Sequence, residues 1–92
     1  MRTTLSKKIK GGKLLRIDVG YGKEITSLKI TGDFFLHPEE TIKEIEKTCI
    51  GKSLPLEKSL KSELKQVMKR NNAELVGLKI KDIYNLLKEA TE

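Results

Sequence analysis

The sequence is poor in the residues that build disulfide frameworks, metal centres and membrane spans. Its 92 residues include one cysteine, one histidine and no tryptophan. A single cysteine excludes an internal disulfide, and such sparse use is typical of a reducing compartment, so we predict a cytoplasmic location. No run of about 18 apolar residues occurs, so we predict no membrane contact.

Catalytic motifs are also missing. His37 has no cysteine or second histidine near it at the spacing of metal ligands. There is no Walker loop, and no strand leads into a Gly-x-Gly-x-x-Gly run. The length allows one domain, 1–92, with a single core too small to line a deep substrate cavity. We therefore predict no catalytic, cofactor-binding or metal-binding residues, and no enzymatic activity of the chain by itself.

The positive charge is concentrated at the N-terminus. The net charge is +6, and the positive and negative charges of residues 17–92 cancel. The whole excess therefore lies in residues 1–16, in Arg2, Lys7, Lys8, Lys10, Lys13 and Arg16. Such a local field favours an acidic or phosphate-bearing partner. Lysines on an edge strand also discourage edge-to-edge aggregation, and the sequence leaves both explanations open.

The first third of the chain has the apolar–polar alternation of strands. Residues 5–9, 15–19 and 26–30 alternate in this way. Glycines at 11–12 favour a tight hairpin, and the run 20–23 predicts a second turn. These features predict a three-stranded antiparallel meander.

One residue breaks the phase of the third strand. We assign one face of that strand to Thr26, Leu28 and Ile30, and Ile25 is out of phase with it. A β-bulge or a strand start near Ile25 would account for the change.

Three helices are predicted after the strands. Pro38 suits the first position of the first helix, and Gly51 its end. The second helix is expected at about 57–70, before Asn71-Asn72, and the third after Gly77. Each helix has a stripe of apolar residues at helical spacing, and we expect the stripes to be buried. The stripe residues are Ile42, Ile45 and Cys49 in the first helix; Leu60, Leu64, Val67 and Met68 in the second; and Ile80, Ile83, Leu86, Leu87 and Ala90 in the third. The predicted fold class is therefore α+β, ordered β-β-β-α-α-α, with the helices on one face of the sheet.

Three aromatic residues are candidates for an interface. Phe34 and Phe35 are adjacent, and neighbours in an extended segment point in opposite directions, so both cannot easily enter one core. Tyr21 lies on a turn between two glycines. Exposed rings often anchor interfaces, although a locally covered ring is the competing interpretation.

Two segments carry a family resemblance. The sequence GGKLLRIDV at 11–19 and the sequence ITGDFFLHPE at 30–39 together resemble the small accessory domain of lipoate–protein ligases. The resemblance continues to the turn at Gly51, whereas the last two helices agree in length and pattern only. The fold it implies is the α+β type also seen in iron–sulfur scaffold and sulfur-acceptor proteins. The catalytic motifs of the family lie in its large domain, and none occurs here.

The resemblance also implies a role. Met1 precedes the similar region by only about ten residues, so we expect a split arrangement in which this chain is a separate accessory subunit. The implied partner is the large catalytic subunit, which would bind ATP, lipoate and Mg²⁺. That subunit would form lipoyl-AMP and lipoylate a lysine on lipoyl domains of carrier proteins. The residues we expect to bind the partner are Lys7, Lys8, Lys10, Lys13, Arg16, Tyr21, Asp33, Phe34, Phe35 and His37.

Two other functions are considered. A small basic nucleic-acid-binding module would fit the isoelectric point near 9.5, but the helices are charge-balanced and provide no basic recognition face. A sulfur-acceptor or iron–sulfur scaffold role would need an exposed, reactive Cys49. Because Cys49 is in phase with Ile42 and Ile45, we expect it to be a buried apolar residue.

Overall fold

The predicted strands and helices are present in the computed structural model, which describes residues 1–11 and 13–92. The elements are β1 (Arg2–Ile9), β2 (Lys13–Tyr21), β3 (Ile25–Gly32), β4 (Phe35–His37), α1 (Thr41–Cys49), α2 (Ser59–Arg70), β5 (Glu74–Val76) and α3 (Ile80–Ala90). The α+β class and the order of the three long strands and three helices are confirmed. The predicted hairpin turn at 11–12 lies partly outside the described residues, since residue 12 is not among them.

The first three strands form an antiparallel meander in the order β1-β2-β3. Its inner face is apolar because Leu15, Ile17 and Val19 alternate along β2, and all three are fully buried. The register between β2 and β3 shifts next to Tyr21, which pairs with Ile25 while Gly20 pairs with Ser27.

That shift confirms the predicted bulge and corrects one assignment. Thr26 is the extra residue between the two pairs, so Ile25 turns to the inner face, where it is fully buried. Thr26, which the alternation placed on the face of Leu28 and Ile30, is exposed.

Two short strands form a second sheet that the periodicity did not predict. Antiparallel pairing of β4 with β5 aligns Phe35 with Val76, Leu36 with Leu75 and His37 with Glu74. Leu36 is buried, whereas Phe35 and Val76 are exposed. We call this pair of strands the ribbon. One face of the ribbon is exposed and includes Phe35 and Val76.

The first helix begins later than predicted. Pro38 precedes α1. The carbonyl groups of residues 38–40 accept hydrogen bonds from the amides three residues ahead, whereas an α-helix has a spacing of four. This tight turn precedes the α-helical pattern that begins at Thr41. The predicted end is confirmed: Gly51 has a φ of 89°, a left-handed conformation that favours glycine.

The helices cover the inner face of the meander. α3 packs on β1 and β2, α1 packs against β3, and α2 packs on both α1 and α3. The second helix begins at Ser59, two residues later than expected. Nearly all of the predicted stripe residues are buried, except Ile42 and Met68, which are half-buried. Tyr84, which lies outside the predicted stripe, is also buried on α3.

No helix among the described residues is long and apolar enough to cross a membrane.

Candidate docking surface

The two edges of the meander differ in how their backbone groups are satisfied. At the β3 edge, Ile25 donates its N–H to the carbonyl of Lys52 at 3.0 Å and accepts from Gly51 at 2.8 Å. Farther along, Ile30 donates its N–H to Oε2 of Glu46 at 2.7 Å. The segment after α1 and a side chain of α1 therefore cover the β3 edge.

The β1 edge is open along its length. Met1 and Tyr21 exchange both backbone hydrogen bonds at 2.8 Å, so every second residue of β1 counted from Met1 faces β2. The N–H and C=O groups of the intervening residues point outward, namely Arg2, Thr4, Ser6 and Lys8. Among the described residues, none forms a hydrogen bond to these outward groups. This edge is available for pairing.

A basic groove lies beside the open edge. Its volume is about 650 Å³, and it runs between the second half of β1 and the start of α3. Its apolar lining is Ile9, Leu75, Val76, Leu78 and Leu86, and its basic lining is Lys7, Lys8, Lys10, Lys79 and Lys81. Asp82 also lines it and accepts the N–H of Lys79 at 2.8 Å, so the groove has five lysines and one carboxylate. The groove therefore combines a positive field with apolar contact area.

Three of the predicted basic residues thus meet in this groove, and a fourth lies at its end. Lys7 lies on the inner face of the sheet, opposite its cross-strand neighbour Leu15. Its Nζ forms an ion pair with Oε2 of Glu89 on α3, at 3.9 Å. The stem of Lys13 passes over Gly77, where a Cβ would lie 3.3 Å from Cγ of the lysine. Arg16, by contrast, pairs with Ser6 and lies exposed on the outer face of the sheet.

Sequence reasoning missed the contribution of α3 to the groove. Lys79 is the N-cap residue of α3, and Lys81 lies in its first turn. Cations are disfavoured at a helix N-terminus, because the macrodipole places positive partial charge there. These two lysines line the same groove as Lys7 and Lys8 of β1 and Lys10 just after it. A neighbouring anionic group would relieve this clustering of like charge. Their unfavourable position was the available signal in the sequence.

The ribbon of β4 and β5 extends this surface with aromatic and apolar groups. Phe35 is 59% exposed and Val76 is 52% exposed, directly opposite each other. The Phe35 ring stacks on His37 with an interplanar angle of 4° and centroids 6.4 Å apart. Val76 belongs to the ribbon and to the groove, so the two form one continuous surface. We call the groove and the outward ribbon face together the docking surface.

The remaining predicted residues lie outside the docking surface or behind it. Phe34 is half-buried against the core. Tyr21 is half-buried at the other end of β2, about 27 Å along the strand from Lys13, and its hydroxyl lies 3.2 Å from Oγ1 of Thr3. Asp33 is exposed at the corner after β3, where its N–H donates to the carbonyl of Leu14 at 2.8 Å.

Cys49 is buried as the helical phase predicted. Its side chain is fully enclosed, and burial raises the pKa of its thiol to about 12. At neutral pH it is a thiol, which is a poor nucleophile. No group of three or more His, Cys, Asp or Glu side chains in residues 1–11 and 13–92 is arranged to hold a metal ion.

Comparison with known proteins gives a structural similarity. No protein-family model matches the chain, and no curated protein matches it. A chain from the solved structure of an archaeal lipoylation system, a bi-partite lipoate protein ligase and its E2 lipoyl domain from Thermoplasma acidophilum, superposes with a TM-score of 0.69 and 24% identity. The similarity covers 92% of this chain and 94% of that chain, so this protein shares its fold over nearly the whole of both.

Proposed function

We propose that this chain is the non-catalytic accessory subunit of a bi-partite lipoate–protein ligase. In this role it docks on the large catalytic subunit in the cytoplasm and forms a heterodimer with it. The complex activates lipoate with ATP to lipoyl-AMP and transfers the lipoyl group to a lysine on lipoyl domains. ATP, lipoate and Mg²⁺ are bound by the large subunit, and this chain contributes no catalytic residue.

The observation that carries the proposal is the nearly full-length fold match to a chain of a bi-partite lipoate protein ligase system. It agrees with the independent resemblance of residues 11–19 and 30–39 to ligase accessory domains. Fold alone does not determine function, so the docking surface supplies the second support. Charged walls, exposed apolar groups and an open strand edge are features of a protein that binds another protein.

The alternative functions receive less support from the same observations. A sulfur acceptor needs a reactive thiol, and Cys49 is enclosed with a raised pKa. A nucleic-acid module needs a broad basic face or a stacking platform. The exposed ring of the docking surface, Phe35, already stacks on His37.

The direct test is complex formation with the candidate catalytic subunit by size-exclusion chromatography and calorimetry. We expect a one-to-one complex, weakened at least about tenfold when Lys7, Lys8, Lys10 and Lys13 are all replaced by alanine. The matched control replaces four exposed helix lysines, Lys43, Lys47, Lys65 and Lys69, and changes the net charge equally. No complex, together with salt-dependent retention on DNA, would replace the proposal by nucleic-acid binding.

A further inference from the structure

We propose that the open edge of β1 and the groove beside it bind an extended acidic segment of the catalytic subunit as an added fourth strand. The inference rests on the proposed function, since it takes the catalytic subunit as the partner. It goes further by naming the element that docks, the backbone groups that pair and the chemistry of the segment that is recognised.

The backbone supplies the first argument. The β3 edge is satisfied by Lys52, Gly51 and Glu46, whereas the described residues leave the outward groups of β1 without hydrogen bonds. A strand added at Ser6 and Lys8 would pair those groups and extend the meander to four strands. Main-chain hydrogen bonds then provide affinity, and side chains provide selectivity.

The side chains define which segment is accepted. Side chains of an added strand point alternately to the two faces of the sheet. On the inner face they would enter the groove near Lys7 and Lys81, and on the outer face they would lie near Lys8. Both faces therefore meet lysines, which outnumber the neighbouring carboxylates Asp82 and Glu89, so an acidic strand is favoured and a basic one is repelled. Ile9, Leu78 and Leu86 supply apolar contact on the groove side.

Protection against aggregation explains part of this arrangement but not all of it. Lysines on β1 would repel a second copy of β1, because like charges would lie opposite each other. That protection needs charge on β1 alone. Lys79 and Lys81 come from α3, where the helix dipole disfavours them. Their convergence on the same groove is accounted for by an anionic occupant.

The test separates backbone pairing from charge, using the catalytic subunit as the probe. Lys8→Pro removes an outward N–H without breaking the β1–β2 ladder, and Lys8→Ala removes the same charge but keeps that N–H. Thr4→Pro is the matched control, because its N–H also points outward but it lies outside the groove lining. We expect Lys8→Pro to raise the Kd at least tenfold above that of Lys8→Ala, and Thr4→Pro to leave the wild-type Kd unchanged within about threefold.

The contribution of charge to binding is tested with Lys81→Glu. This substitution removes a cation from a helix N-terminus, so it should not impair folding. We expect at least a tenfold rise in Kd and a weaker salt dependence. The control is Lys65→Glu on the exposed face of α2, which should bind like the wild type.

Amide hydrogen exchange on the unmodified protein provides a readout that does not depend on any variant folding. The amides of Ser6 and Lys8 should exchange rapidly in the free chain and at least tenfold more slowly in the complex. The amides of Leu5 and Lys7, which pair with β2, should already be slow.

The outcomes are distinct. If the complex forms but these amides stay unprotected, strand addition is wrong even where Lys81→Glu weakens binding, and the proposed function survives. If DNA binds and Lys81→Glu abolishes it while Lys8→Pro does not, the groove recognises phosphates instead. If the wild type forms no complex with the catalytic subunit, the proposed function fails and this inference fails with it.

Discussion

At the scale of single residues, the adjacent phenylalanines have different environments. Phe34 packs half-buried against the core, and Phe35 lies exposed opposite Val76. We predict that Phe35→Ala weakens binding of the catalytic subunit about tenfold and changes the free energy of unfolding by less than about 0.5 kcal/mol. Calorimetry and urea denaturation measure the two effects.

Phe34→Ala is the matched comparison. It should lower the free energy of unfolding by roughly 1–3 kcal/mol, because part of a packed ring is lost. If Phe35→Ala destabilised the fold and left binding unchanged, the ring would serve the structure, and the ribbon face would not belong to the docking surface.

The thiol of Cys49 offers a second prediction at this scale. Burial raises its pKa to about 12, so both access and thiolate formation are suppressed in the folded chain. We expect iodoacetamide at pH 8 to label Cys49 slowly in the native protein and rapidly in guanidinium chloride, followed by mass spectrometry. Equal rates in the two states would contradict the burial and restore the sulfur-acceptor function.

At the scale of elements, α1 and α2 are joined by a polar contact. Glu44 accepts hydrogen bonds from Arg70 and from Asn71, and these two donors, Arg70 foremost, hold the pKa of Glu44 below its usual value. A carboxylate with a lowered pKa in the folded state stabilises the fold above the unfolded-state pKa. This stabilisation is lost as the pH falls through the folded-state pKa.

We therefore predict that Glu44→Gln lowers the Tm at pH 7, and that its difference from the wild type shrinks as the pH falls below about 4. Thermal unfolding monitored by circular dichroism across this range is the measurement. Glu92→Gln, an exposed carboxylate at the C-terminus, should show no such difference. A Tm difference for Glu44→Gln that is independent of pH would point to packing instead of charge.

The corner between β3 and β4 depends on a glycine. Gly32 has a φ of 155°, and a Cβ there would collide with the carbonyl oxygen of Leu14. We predict that Gly32→Ala lowers the free energy of unfolding by at least about 1–3 kcal/mol, measured by urea denaturation. Gly22→Ala has open space around the new Cβ and should be close to neutral. Equal effects of the two substitutions would show that the corner tolerates a side chain.

The sequence predicted elements whose periodicity is strong and missed those that depend on tertiary pairing. Two-residue alternation identified the meander, and the phase break at Ile25 located the bulge. The three-residue strands β4 and β5 are too short for a periodic pattern, and their pairing joins Phe35 to Val76 across the intervening helices. For the same reason, the sequence predicted the lysines at the N-terminal side of the groove but not those of α3. Only the fold brings Lys79 and Lys81 to the lysines of β1.

At the scale of the whole molecule, the features that we propose bind a partner lie on one side. Helices cover the inner face of the meander, and the segment after α1 covers the β3 edge. The β1 edge, the groove and the ribbon face lie together on the remaining side. The proposed accessory subunit, which would act through another protein, needs such a surface more than it needs an internal cavity.

The most direct test of the accessory role is the rate of lipoyl-AMP formation by the candidate catalytic subunit, with and without this chain, at saturating ATP and lipoate. We predict that activation depends strongly on the added chain and reaches its maximum at one equivalent. The variant lacking Lys7, Lys8, Lys10 and Lys13 should need a higher concentration to reach the same rate. An activation rate that is the same with and without this chain would contradict the assignment as an accessory subunit.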